Sequence, residues 1–179
     1  MESLPLIERI GNVRRAAYIK RFHTVPTVGD SQTVGAHSWG VATLLNELWP
    51  HSTKGLLLAT LYHDVAEILI GDIPATTKWA YPEFAEAVAR VEAEAEKKLG
   101  LAIILNPEEK KRLKICDMLE LVIFASEQIK LGNHYFEVVF ENGVKYLWDR
   151  YRQEEEYKKI FTVVAWAADN RNKNRLSTD

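Results

Sequence analysis

Two histidines, two aspartates and a glutamate are placed along this chain so that they could gather around a metal ion. His37 lies in Ala36-His37-Ser38, His63 and Asp64 are adjacent in Tyr62-His63-Asp64-Val65, and Asp117 lies in Ile115-Cys116-Asp117-Met118. Two imidazoles and two carboxylates make a mixed N/O donor set. Such a set suits a borderline divalent ion, Zn, Mn, Fe or Co, better than Mg or Ca. An ion held this way lowers the pKa of water toward neutrality and withdraws charge from phosphoryl oxygens, so hydrolysis is the chemistry the set supports.

Each residue alone has a plainer explanation. A single mid-helix histidine is more often a hydrogen-bonding side chain than a ligand, and a bare His-Asp dipeptide is a weak signal. Asp117 is harder to set aside, because it sits among Leu113, Ile115, Met118, Leu121 and Val122. A carboxylate buried there needs a metal, a cation or several donors, and Lys114 is the simplest alternative partner. Glu67 follows His63 by four residues and Asp64 by three. On one continuous helix all three would share a face.

The elements that must position these residues read as helices almost throughout. Leu6, Ile10, Val13, Ala17 and Tyr18 form an amphipathic stripe from Pro5 to Phe22, followed by a polar stretch from His23 to Gly35. A second helix is expected from about Ala36 to Trp49, stopped by Pro50. Ser52 or Thr53 can cap a third through about Leu69, broken by Gly71. Asp72 to Thr77 reads as a loop with Lys78 and Trp79 following on it. Pro82 starts a fourth helix that runs to Leu99, and Asn106-Pro107 caps and opens a fifth that continues to Leu131. One or two further helices carry Phe136, Val139, Phe140, Leu147, Phe161 and Trp166, and the tail from Asn170 is expected to fray. The expectation is an all-α single domain over residues 1–179, with six or seven helices and ligands between them, where bundles build metal sites.

Composition sets bounds on partners and compartment. The chain has 179 residues, 47% apolar and 27% charged, with a formal net charge of −2. That charge gives no reason to expect nucleic-acid polymers or anionic membranes as partners. Met1 to Pro5 lacks the basic and apolar regions of a signal peptide, and Leu56 to Tyr62 is too short an apolar run to span a bilayer. A lone cysteine, Cys116, suits the reducing cytoplasm. Tyr135, Phe136, Phe140, Tyr146 and Trp148 suggest more apolar surface than one small domain buries, hence a homodimer or larger homo-oligomer.

Taken in order, Arg21-Phe22-His23, Gln32 to Ser38, the run His63-Asp64-Val65-Ala66-Glu67-Ile68-Leu69-Ile70-Gly71-Asp72-Ile73-Pro74, and Asp117 resemble the HD-domain phosphohydrolase superfamily. The similarity is to the branch of bacterial 5′-deoxynucleotidases and phage dATP triphosphohydrolases, and covers about residues 21–117. The resemblance implies that His37, His63, Asp64 and Asp117 are metal ligands. It implies that Glu67 orients or deprotonates the attacking water, that Asp72 lies near the sugar or that water, and that Arg21 contacts phosphate. Phe22 stands where the branch has tryptophan against the deoxyribose, and Ala36 replaces a glutamate usual before the first histidine.

Several assignments remain open on the residues alone. Lys78 could contact phosphate, Trp79 could stack on a base or anchor a lid, and Thr24 with His23 could line the base pocket. His51, His134 and the Glu92-Glu94-Glu96 face are expected to be solvated. The substrate is expected to be a deoxynucleotide, with monophosphate cleavage preferred over release of triphosphate from dATP. Lys20, Arg21 and Lys78 are the candidates to accommodate a polyphosphate. A nucleotide-sensing module without catalysis is the alternative from another class.

Overall fold

The computed structural model describes residues 4–172. Its α-helices are α1 (Leu6–Ala16), α2 (Val34–Leu48), α3 (Lys54–Tyr62), α4 (Glu67–Ile70), α5 (Ala75–Ala80), α6 (Pro82–Lys98), α7 (Pro107–Lys130), α8 (Glu137–Tyr151) and α9 (Tyr157–Asn172), with a 3₁₀ turn at His134–Phe136. Seven of these have nine or more residues, in line with the all-α expectation; α4 and α5 are short additions. Met1 to Ser3 and residues 173–179 lie outside the described residues, so most of the expected frayed tail does too. Asn170 to Asn172 are helical, as the last turn of α9.

Helix α7 is the axis of the fold. Asn106 accepts from the Glu109 amide at 2.9 Å while the Glu109 side chain accepts from the Asn106 amide at 3.0 Å, a reciprocal cap on the first turn. Beyond it Ile115, Cys116, Met118, Leu119, Leu121, Val122 and Ala125 are buried. A helix apolar on so many sides has neighbours on each of them; α2, α8 and α9 supply them. At Gly143 on α8, a Cβ would lie 2.8 Å from Val122 Cγ2. Gly143→Ala is therefore expected to destabilise the protein by about 1–3 kcal/mol through overpacking, read as a shift in the urea midpoint.

Four local expectations are corrected. The first helix ends at Ala16, not Phe22, because the backbone beyond it pairs with the segment entering α2: Arg21 N–H donates to Gln32 O at 2.8 Å, and Val34 N–H to Ile19 O at 2.9 Å. The expected third helix breaks after Tyr62; His63 to Ala66 form a tight turn, with Val65 N–H on Tyr62 O and Glu67 N–H on Asp64 O. His63, Asp64 and Glu67 are thus not on one helical face. Lys78 and Trp79 lie on α5 rather than on a loop. Phe136 and Phe140 belong to the core, leaving Tyr135 and Trp148 as the clearly exposed members of the aromatic set.

The segment between α1 and α2 is held by buried amides. Gln128 Oε1 accepts from the Val28 amide at 2.8 Å, and Asn133 Nδ2 donates to Pro26 O at 2.7 Å. These bonds fix the loop that carries Phe22, Thr24 and Val25 against the end of α7.

Candidate metal centre and adjoining cavity

Three elements deliver three ligand atoms to one point. His37 comes from the first turn of α2, which Thr33 caps by accepting from the Ala36 amide at 3.2 Å. His63 comes from the turn after α3, and Asp117 from the middle of α7. One donor atom each from His37, His63 and Asp117 lies within 4.8 Å of the other two. His37 Nε2 is 3.2 Å from His63 Nε2 and 3.2 Å from Asp117 Oδ1.

The outward-facing nitrogens show that this is more than proximity. His63 Nδ1 donates to Thr60 O at 2.9 Å, and His37 Nδ1 is bonded to Glu120 Oε2. With both Nδ1 atoms engaged as donors, the Nε2 lone pairs face each other and Asp117, an arrangement that calls for a positive charge between them. A proton supplies it in the metal-free protein. Burial and the Arg21 guanidinium pull the His37 pKa down, but bonds to Asp117 and Glu120 outweigh both and hold it up at about 9. Asp117 is pulled well below the usual carboxylate range despite burial, by Lys114 and by His37. Lys114 Nζ donates to Asp117 Oδ2 at 2.7 Å, so the salt bridge expected as the alternative and the imidazole contact coexist on its two oxygens. The donor set fits a borderline divalent ion.

Asp64 stands beside this group. Its Oδ2 accepts from Arg21 Nη1 at 2.6 Å, while its two oxygens lie 3.4 Å from His63 Nε2 and 3.5 Å from His37 Nε2. Among the described residues, Glu67 Oε2 is buried with no hydrogen-bond partner. Burial, then the charges of Asp64 and Asp72, push the Glu67 carboxyl up to about 8. Cys116, next to Asp117, is buried, and burial raises its thiol to about 12.

A cavity of about 180 Å³ opens beside the donors, and Arg21, Phe22, Thr24, Asp64, Glu67, Asp72, Lys78, Trp79 and Asp117 all line it. Arg21 Nε is buried without a hydrogen-bond partner among the described residues. Phe22 has φ +58°, a left-handed conformation uncommon for a bulky residue, held by its amide donating to Asp72 Oδ2 at 3.2 Å and by stacking on Phe124 at 5.0 Å. His23 is half-exposed outside the cavity lining, 3.5 Å from Asp72, and Lys20 is exposed and also outside it. Lys78 Nζ reaches Glu92 at 3.4 Å, so Glu92 is half-buried rather than part of a fully solvated face.

Some residues of the site were not anticipated from the sequence. Lys114 lines the cavity as well as pairing with Asp117, and Met118, Leu121 and Val139 form part of its apolar wall. Glu120 bonds His37 from the side opposite the cluster. Its signal was available: it follows Asp117 by three residues, on the same helical face, and interrupts the apolar run Met118-Leu119-Glu120-Leu121-Val122. It also answers the loss implied by Ala36, since the acid arrives from α7 instead.

Known proteins resemble this chain in sequence and in fold. A 5′-deoxynucleotidase of Photorhabdus laumondii is 29% identical over 126 residues, covering 62% of this chain and 64% of that one. A dATP triphosphohydrolase of cyanophage S-2L is 32% identical over 132 residues, 69% of this chain and 73% of that protein. In three dimensions, the cyanophage S-2L HD phosphohydrolase solved with dA and one catalytic Zn²⁺ ion superposes with a TM-score of 0.65 at 24% identity, over 94% of this chain and 99% of that one. The family model described as 5′-deoxynucleotidase YfbR-like matches residues 8–162, and the chain belongs to that family of HD-domain proteins.

Proposed function

We propose that the chain hydrolyses the 5′ phosphate of deoxynucleoside monophosphates, giving deoxynucleoside and orthophosphate, with a divalent transition metal held by His37, His63, Asp64 and Asp117. The observation that carries this reading is the pair of imidazole Nε2 atoms turned on one point beside Asp117, with the unpartnered Glu67 and Arg21 atoms around the adjoining cavity. The ion, when bound, supplies Lewis-acid polarisation of the phosphate and acidifies the attacking water.

The chain's own residues do the rest. Glu67 accepts a proton from the water that attacks phosphorus, and the leaving 5′ oxygen ends as the deoxynucleoside hydroxyl, so one water is consumed per phosphate released. Arg21 holds a phosphate oxygen with a guanidinium already oriented by Asp64. Asp72 holds the Phe22 backbone so that the ring forms a wall for the sugar. Thr24 and Trp79 face the base, and Lys78 faces the phosphate end.

Release of triphosphate from a dNTP is the second reading, favoured by Lys78, a cation that lines the cavity along with Arg21. Incubation with a panel of dNMPs and dNTPs in Co²⁺ or Mn²⁺, with products separated by ion exchange, decides between them. Orthophosphate from monophosphates is the expected result; intact triphosphate from one dNTP establishes the alternative. No turnover by metal-loaded protein on any substrate would leave a nucleotide sensor.

No described helix is long and apolar enough to cross a membrane. A cytoplasmic enzyme that forms a homo-oligomer is part of the proposal. The half-exposed Trp148, Phe161 and Trp166 of α8 and α9 offer the apolar face for the assembly, and light scattering on the full chain tests it.

A further inference from the structure

We infer that Glu120 is a positioning residue of the metal centre: it holds the His37 ring with Nδ1 protonated and Nε2 aimed at the donor cluster, and thereby sets the metal affinity. The inference rests on the metal reading of this site. Glu120 is only 8% exposed, and among the described residues its two oxygens are hydrogen-bonded to His37 Nδ1 and, at 2.6 Å, to Gln32 Nε2. A buried carboxylate bonded to one imidazole and one neutral amide is costly to desolvate, so its burial asks for a reason beyond packing.

A second, independent feature gives that reason. Gly40 lies on α2 near one turn beyond His37, and a Cβ there would stand 2.8 Å from Glu120 Cγ and 3.1 Å from Glu120 Oε1. The bare helix surface at Gly40 is the space through which the Glu120 side chain passes to reach the ring. Gln32, next to the α2 cap residue Thr33, holds the other oxygen. Residues before and on α2 therefore converge on one carboxylate, delivered from α7, whose outlet is His37 Nδ1. A carboxylate in that position fixes the tautomer and raises the basicity of the ligating nitrogen.

The test measures Zn²⁺ affinity of metal-stripped full chain by chelator competition, for wild type, Glu120→Gln, Glu120→Leu and Gly40→Ala. Gln keeps an acceptor for Nδ1–H and can face a flipped Gln32 amide, whose Oε1 has no partner among the described residues, so it removes charge and little else. Leu removes charge and acceptor together, and Gly40→Ala displaces the carboxylate without altering any ligand. The expected losses are about 100-fold for Leu and about 10-fold or more for Gly40→Ala and Gln. Spectra of ¹⁵N-labelled imidazoles in the Zn-loaded protein are expected to show His37 Nδ1 protonated in wild type and that signal lost in the Leu variant.

Folded variants with lowered Tm but affinity within about twofold of wild type would reduce Glu120 to a packing contact. If the Leu variant does not fold, Gln and Gly40→Ala carry the comparison. A wild type that binds no Zn²⁺ overturns the metal reading as well, whereas tight binding by wild type and variants alike overturns the positioning role alone.

Discussion

Glu67→Gln is expected to lower kcat on deoxynucleoside monophosphates by about 10²- to 10⁴-fold while leaving metal content at the wild-type level. The residue opens α4, after the turn that carries His63 and Asp64, so its carboxylate reaches the cavity without belonging to the three-atom donor cluster. Its buried Oε2 has no hydrogen-bond partner among the described residues for the substitution to break. Burial and the charges of Asp64 and Asp72 raise this carboxyl in the metal-free protein, a surrounding that favours its taking up a proton. Gln is nearly isosteric and cannot accept the proton. The contrast is with His37→Ala and Asp117→Ala, which should lose metal and turnover together. Metal analysis alongside steady-state kinetics separates the two classes, and a Glu67→Gln enzyme within tenfold of wild type (roughly 1.4 kcal/mol of barrier) would remove Glu67 from the proton-transfer step.

That contrast also shows what the sequence could and could not convey. The ends of α6 and α7 were legible because proline at a first helical position and the Asn106–Glu109 cap act locally. The break after Tyr62 was not, since Leu56 to Leu69 carries no proline or glycine that would interrupt it. The first helix was overextended for a related reason. Its apolar stripe continues to Tyr18, but pairing of residues 19–21 with the approach to α2 overrides the helical period. Candidate ligands could be picked out because few residue types ligate and their motif is extended. Glu120 escaped because the apolar run around it points to burial without naming a partner, and that partner, His37, is 83 residues away.

Removing the metal should make stability depend on pH in a direction opposite to metal binding. In the metal-free protein His37 titrates at about 9, above its ordinary value of 6.5. The folded state therefore binds a proton that the unfolded chain releases earlier. Its stabilising contribution is complete below pH 6.5 and is lost as pH rises through 9, amounting to about 3 kcal/mol. Glu67, raised from 4.5 to about 8, acts with the same sign: stability falls as pH rises from 4.5 to 8. The lowered Asp64 and Asp117 titrate below this window and leave it unchanged. A divalent ion replaces the His37 proton, so its binding releases one, and affinity grows by about tenfold per pH unit up to 9. The stabilisation that a fixed metal concentration confers grows with it. Melting curves at pH 6, 7 and 8.5 are thus expected to show the chelated protein falling in Tm and the gap to the Zn-loaded protein widening. A gap that stays constant or narrows would mean that metal binding displaces no proton from His37.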